Sequence, residues 1–372
     1  MPLDELIQHG AHVMTVCNAC RYCEQYCPVF PAMERRVTFQ KPDLFYLASL
    51  CHNCGECLYA CQYAPPHEFG INVPRALAQI RLRSYEEYAW PRALASAFRH
   101  HNLATGLALA AALSIALLTV TLIARPGSIW PNSPSADFYA VMPHGVMVAF
   151  FGSVFLFAIL AMGIGVVRFA RDVRIVPAKV DVGAAFLGPP KPRSGEGGRW
   201  PILDALTLRH LHATGTDCVS AEEARSPWRR WLHHCVFYGF LLCFASTSVA
   251  AIYHGVFGWR APYGYTSLPV VLGTLGGVGL LVGAAGLWML RGQRDPALAD
   301  PAQRGLDESF IALLFLASLT GLTLLIARHL PIMPALLIVH LGIVLAFFVT
   351  LPYGKFVHGL YRVVALLLSH HE

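Results

Sequence analysis

The chain has 372 residues, of which 13% are charged and 55% apolar, with a formal net charge of +6 and a mean hydropathy of +0.50. A soluble domain carries about 25% charged residues, so the composition excludes an ordinary water-soluble protein and assigns most of the chain to a bilayer. The positive balance calls for no nucleic-acid partner, because the basic residues concentrate between apolar segments, as they do in the cytoplasmic loops of membrane proteins.

Residues 1–95 form a charged, cysteine-rich head and residues 96–372 a membrane body. Residues 1–30 have neither an apolar core nor a small-residue cleavage site, so the head is expected to stay in the cytoplasm. Thiols are kept reduced there, and dense cysteines then point to metal rather than to disulfides. Residues 17–27 read CNACRYCEQYC and residues 51–61 read CHNCGECLYAC. Both have the form C-x2-C-x2-C-x3-C, the bacterial ferredoxin spacing for a [4Fe–4S] cluster. Three thiolates in such a run wrap one face of a cubane, and the fourth points away to the neighbouring cluster. This assigns Cys17, Cys20, Cys23 and Cys61 to one cluster and Cys51, Cys54, Cys57 and Cys27 to a second. Zinc binds C-x2-C pairs too, but two identical four-cysteine runs fit clusters better. Pro28 follows Cys27 as in ferredoxins, whereas Gln62 follows Cys61.

The interval between the runs is too long for the tight ferredoxin hairpin. Pro42 and Asp43 mark a helix start, and Leu44, Leu47 and Ala48 recur at helical spacing. NVPRALAQIRLR after the second run also reads as helix. The expected fold class is therefore mainly α: a helical ferredoxin-like 2[4Fe–4S] domain followed by a six-helix transmembrane bundle.

Apolar windows of about 20 residues place the spans at 103–124, 144–167, 233–253, 268–290, 309–327 and 333–353. The fourth contains GTLGGVGLLVGAAG, suited to close helix packing in lipid. Loops 125–143 and 254–267 carry one arginine each, Arg125 and Arg260. Loop 291–308 carries Arg291, Arg294 and Arg304, and loop 168–232 is strongly basic. The alternation puts both termini in the cytoplasm. The long loop is Pro/Gly-rich at GPPKPRSGEGGRW, and a short helix is expected in WPILDALTLRHLHATGTDC.

Most histidines lie in polar segments and read as solvated. His144, His233, His234, His254, His340 and His358 lie in or beside spans, where an ionisable group is a functional candidate. On a continuous helix His340 and His358 would be roughly 27 Å apart on one face, and His234 and His254 roughly 30 Å apart. With antiparallel spans, His234 levels with His358 and His254 with His340, as one or two bis-histidyl b-type haems would require. Twenty residues turn about 200°, which aims His234 and His254 to opposite sides. His233 keeps the better phase with His254, so the inner ligand is His234 or His233, and His144 competes for the outer site.

The tail VHLGIVLAFFVTLPYGKFVHGLYR resembles the last haem-bearing helix of the nitrate reductase gamma subunit, and LHHCVFYG resembles its other haem helix, which implies a ligand at His234. That family has a second ligand ten residues later, where this chain has Phe244. The head, from VCNACRYCEQYCPVFPAMERR to CHNCGECLYACQYAPPHEFGINVPRA, with the six-span body, resembles the citrate/tricarballylate utilization protein B family, HEFGINVPRALAQIR being the more specific stretch. The resemblance implies an electron-transfer subunit of the bacterial inner membrane. It would reoxidise the reduced FAD of a partner tricarballylate dehydrogenase through two [4Fe–4S] clusters and haem b and deliver electrons to the quinone pool. No GxGxxG, nucleophile elbow or paired-carboxylate site is present, so the organic acid and the FAD are expected on the partner. The alternatives are an iron–sulfur redox sensor and a heterodisulfide-reductase-like enzyme fused to its membrane carrier. For the latter, Cys218, Cys235 and Cys243 are too scattered to supply an active site.

Overall fold

The computed structural model describes residues 1–98, 102–129, 137–173, 201–208, 211, 218–219 and 225–371. The fold class is mainly α, as expected. Among the described residues, the only strand pairing is a two-residue antiparallel ladder of β1 (Cys218–Val219) and β2 (Arg225–Ser226).

The head contains α1 (Leu3–Cys20), α2 (Val29–Glu34), α3 (Lys41–Leu50), α4 (Glu56–Tyr59), α5 (Val73–Tyr88) and α6 (Arg92–Ala97). Helix α3 starts at a reciprocal cap between Gln40 and Asp43, which satisfies two otherwise orphaned amides. From Leu44 to Leu50 every residue of α3 is buried, so α3 is the axis on which the head packs. Pro74 sits in the first turn of α5, where its missing amide costs nothing, and Asn72 caps the helix through Arg75 N at 3.0 Å.

Six helices are long and apolar enough to cross a membrane. They begin with α7 (Leu103–Ala124); the short α8 (Phe138–Val141) precedes α9 (His144–Val173), and α10 (Pro201–Leu206) is the helix expected in the long loop. There follow α11 (Trp228–Gly255), α12 (Leu268–Gly292), α13 (Pro301–Ile326) and α14 (Met333–Thr350). Several of these helices outrun their apolar windows, because their polar ends are held by the head rather than by lipid. At 30 residues, α9 is about 45 Å long against a hydrocarbon core of about 30 Å. Its end reaches the head, where Phe169 is fully buried between Tyr88 and Tyr361 with ring centres 5.4 and 5.0 Å away.

Helices α11 and α12 pack backbone to backbone. A Cβ on Gly283 would lie 2.8 Å from Leu232 O and Val236 N, and one on Gly276 would lie 2.8 Å from Cys243 N. Only a hydrogen fits at these positions, which explains the glycine run of the fourth span.

The straight helix assumed for His340 and His358 is not what forms. After α14 the chain makes a 3-10 turn over Leu351–Tyr353, extends at Gly354, and resumes as α15 (Val357–His371). Pro352 has no amide to continue the α-helical ladder. Helix α15 packs against α3 and α9. His358 therefore lies at the junction of head and membrane body, where Tyr353 Oη donates to Trp90 O at 3.0 Å and Gln303 Nε2 donates to Ala78 O.

Candidate redox centres

Cys17 and Cys20 occupy the last turn of α1. Arg21 then adopts a left-handed conformation, with φ 54°, and its amide closes on Cys17 O at 2.8 Å. The turn sends the chain back so that Cys23 comes beside the first two thiols, and the end of α4 delivers Cys61. Burial pushes the Cys17 thiol up to about 12, and its neighbours Cys61, Cys23 and Cys20 add to the shift. Burial, then Cys61 and Cys20, takes Cys23 to about 11. Gln62, in the place of the ferredoxin proline, points its amide at Cys20 Sγ from 3.9 Å.

The second set forms where α3 ends. Cys51 is 6% exposed, and Asn53 N–H donates to its sulfur at 3.3 Å. Gly55 has φ +98°, and a Cβ there would meet Leu298 Cδ1 at 2.8 Å, so both conformation and space demand glycine. Burial raises the Cys27 thiol well above its ordinary value, with Cys54 and Cys51 next in effect. Burial likewise raises Cys57, followed by Cys27, Cys51 and Cys54. Cys23 acts weakly on both Cys27 and Cys57, which puts the two sets side by side. The fold thus gathers the two groups that the ferredoxin spacing pairs.

These donors suit iron–sulfur clusters. Burial opposes the thiolate form in every one of these four cysteines, so only a bound cation makes the ligand form favourable. Among the described residues no three His, Cys, Asp or Glu side chains close around a single metal ion. A cubane holds its thiolates farther apart than one ion does.

Of the histidines, the structure brings His233 to His358, with ring centres 6.1 Å apart and planes inclined at 53°. His358 Nδ1–H donates to Lys355 O at 2.5 Å, which leaves Nε2 unprotonated and open as a lone-pair donor. His233 Nδ1 is buried without a hydrogen-bond partner among the described residues. Two facing imidazoles, one with a fixed tautomer and one with an orphaned nitrogen, fit a bis-histidyl haem. His234 is turned away: its Nε2 reaches Thr207 O at 3.1 Å and its ring stacks on Tyr238 at 5.8 Å. Consecutive helical residues point about 100° apart, so one of the two histidines faces α15 and the other cannot.

The outer histidines are arranged differently from the levels expected. His254 stacks on His144 with ring centres 3.5 Å apart, and Tyr139 Oη lies 3.4 Å from His254 Nδ1. Rings so close leave no room for an iron between them, so this pair as it stands does not fit a haem. His340 Nδ1 contacts Thr320 Oγ1 at 3.0 Å, with its ring over Gly321, and does not meet His254. Phe244 packs on Phe155 at 6.0 Å. Only 6% of the apolar window of α11 is buried, against 28% for α12. Beyond α12, α11 meets its neighbours through rings such as Phe240 on Phe347 and Phe356, at 6.1 and 5.4 Å.

Sequence reasoning missed how the head is joined to the body. Arg362, one turn after His358, donates through Nη2 to Cys51 O at 2.6 Å. Tyr59 Oη donates to Asp295 Oδ2 at 2.6 Å, and Asn72 Nδ2 to Ala297 O at 2.9 Å. The signal present was a concentration of arginine at the head-side span ends, which reads equally well as a topology bias.

The family model described as Citrate utilization protein B matches residues 97–372, and the one described as Citrate utilization protein B Fer4-like domain matches residues 10–87. Citrate utilization protein B of Escherichia coli is 48% identical over 356 residues, covering 95% of this chain and 89% of that protein. No solved structure matches. Cysteine runs, helical head, six apolar helices and these matches along nearly the whole length agree: the chain belongs to the citrate utilization protein B family.

Proposed function

We propose that the protein is the membrane electron-transfer partner of an FAD-dependent dehydrogenase acting on tricarballylate or a related tricarboxylate. Its place would be the bacterial inner membrane, with both termini cytoplasmic. When bound, two [4Fe–4S] clusters and haem b supply one-electron carriage between a reduced flavin and the quinone pool. The chain's own residues support this reading in three ways. The first cysteine set lies at the surface of the head, where Tyr22 beside it is 67% exposed and accessible to a partner. In the second set Cys51 is buried and Cys27, Cys54 and Cys57 are partly buried, and its loop meets Arg229, Arg294 and Arg362 of the membrane body. His233 and His358 offer two imidazoles at that same junction, one held in the ligating tautomer by Lys355 O.

The observation that carries the proposal is the Arg362–Cys51 contact, which ties the helix of His358 directly to the second cysteine set. In the membrane body, Phe240 packs on Phe347 and Phe356. The test uses inverted inner-membrane vesicles that contain the protein, with the flavoprotein and its tricarboxylate added. Quinone reduction that depends on this chain is expected. Equal quinone reduction in vesicles lacking it would refute the proposal.

A further inference from the structure

We infer that four arginines from separate segments, converging on the second cysteine run, raise the electron affinity of that set above the first and so make transfer run inward from the head surface. The inference rests on the two-cluster reading above. Arg81 of α5 donates from Nε to Ala48 O and from Nη2 to Cys51 O, both at 2.7 Å. Arg362 of α15 donates from Nε to Ser49 O at 3.2 Å and from Nη2 to Cys51 O at 2.6 Å. Arg229 of α11 reaches Asn53 O at 3.2 Å and His52 O at 3.5 Å, and Arg294, just past α12, reaches Asn53 O at 2.8 Å. All of these acceptors are backbone carbonyls of residues 48–53. The guanidiniums therefore fix the ligand loop and add positive charge to it together.

Among the described residues, the first set shows a different balance of charge. Arg21 donates to Asn18 O at 3.0 Å but is exposed, and Arg36 is paired with Asp43 at 2.8 Å. Glu24, Arg21 and Arg35 all act electrostatically on Glu34 nearby, so that region mixes carboxylates with guanidiniums. Water and salt screen an exposed guanidinium, whereas Arg81 and Cys51, 5% and 6% exposed, interact through a low-dielectric interior. Reducing a thiolate-ligated cluster by one electron adds one negative charge and, in this step, no proton. That charge is stabilised more where four guanidiniums surround the loop. Each transfer oxidises the first site by one electron and reduces the second by one. The donor is a reduced flavin and the acceptor lies on the membrane side.

The test is an anaerobic redox titration of the full-length protein in detergent, read by electron paramagnetic resonance. Cys57→Ser identifies which signal belongs to the second set. The wild-type second signal is expected at the more positive midpoint. Arg229→Gln, Arg294→Gln and Arg362→Gln should each move it to lower potential and leave the first signal in place. Arg229→Lys, Arg294→Lys and Arg362→Lys, which keep the charge, should hold it. Iron content and circular dichroism check that each variant loads and folds. Arg81 is changed only to Lys, because its burial makes a neutral replacement prone to misfolding. Two signals that stay put in the Gln variants, or Lys variants that shift as far as Gln variants, would overturn the inference alone. Fewer than two cluster signals in the wild type would overturn the two-cluster reading and the inference with it.

Discussion

Replacing His233 and His234 separately by alanine tests which imidazole belongs to the junction. His234 Nε2 makes an exposed hydrogen bond to Thr207 O at 3.1 Å, and its ring contacts Tyr238 and Trp231. Losing an exposed bond of this kind costs about 0.5–1 kcal/mol, so His234→Ala should retain haem and unfold within a few degrees of the wild type. His233 is the opposite case. In the haem-free protein its buried, unpartnered Nδ1 carries a desolvation penalty of about 1–3 kcal/mol, which alanine removes along with the ring's packing. His233→Ala should therefore be near neutral without haem. Haem at a thousandfold excess over its dissociation constant stabilises a binding-competent fold by about 4 kcal/mol. Thermal unfolding in detergent, with and without added hemin, should show that gain in the wild type and in His234→Ala but not in His233→Ala. A pyridine haemochrome assay should show haem b in the same two proteins only. Haem kept by His233→Ala and lost by His234→Ala would refute the reasoning, because it would mean that α11 sits about 100° from the phase described.

Three further outcomes follow from the geometry. Gly283→Ala puts a methyl 2.8 Å from backbone atoms of α11 and should cost about 3 kcal/mol in detergent melts, at the upper end of overpacking; Gly292→Ala, with nothing within 4 Å, serves as the control, and equal effects would contradict the packing. The iron-free head should lose stability in alkali. Cys17 rises from 9.0 in the unfolded chain to about 12 when folded, so the stabilising protonated form is fully present below pH 9.0 and is lost as pH climbs toward 12, and urea unfolding at pH 7 and pH 10 reads the difference; a midpoint that rises with pH would contradict the burial described. Tyr59→Phe removes the hydroxyl bonded to Asp295 and should destabilise the head–body junction by about 1–2 kcal/mol, measured by thermal unfolding, with no change contradicting the contact.

The spans were legible because hydropathy is a property of each residue and needs no partner. Their ends were not. Helix α9 runs on to Val173 and α11 begins at Trp228, where Arg168 and Arg229 reach backbone carbonyls of the head. The ferredoxin spacing expects Cys17 with Cys61 and Cys27 with Cys51, and the fold brings these thiols near one another. The choice between His233 and His234 was not legible: a one-residue step swings a ring by about 100°, and α11 is too uniformly apolar to reveal which face is covered. Pro352 marked the break after α14, yet the run was read as one straight helix because its hydropathy stays high. The approach of His144 to His254 was foreshadowed only by both lying at the same end of antiparallel spans. The arginine layer was hidden because its acceptors are backbone carbonyls far away in sequence, which leave no residue pattern.

The most direct test of the account is a rapid-mixing experiment under anaerobic conditions. The reduced flavoprotein is mixed with the detergent-solubilised chain while haem b absorbance is followed, in the wild type and in Cys57→Ser. The account predicts haem reduction in the wild type and its loss in Cys57→Ser with the haem still bound. Haem reduced equally fast in both, or a wild-type sample that holds neither iron nor haem, would contradict it.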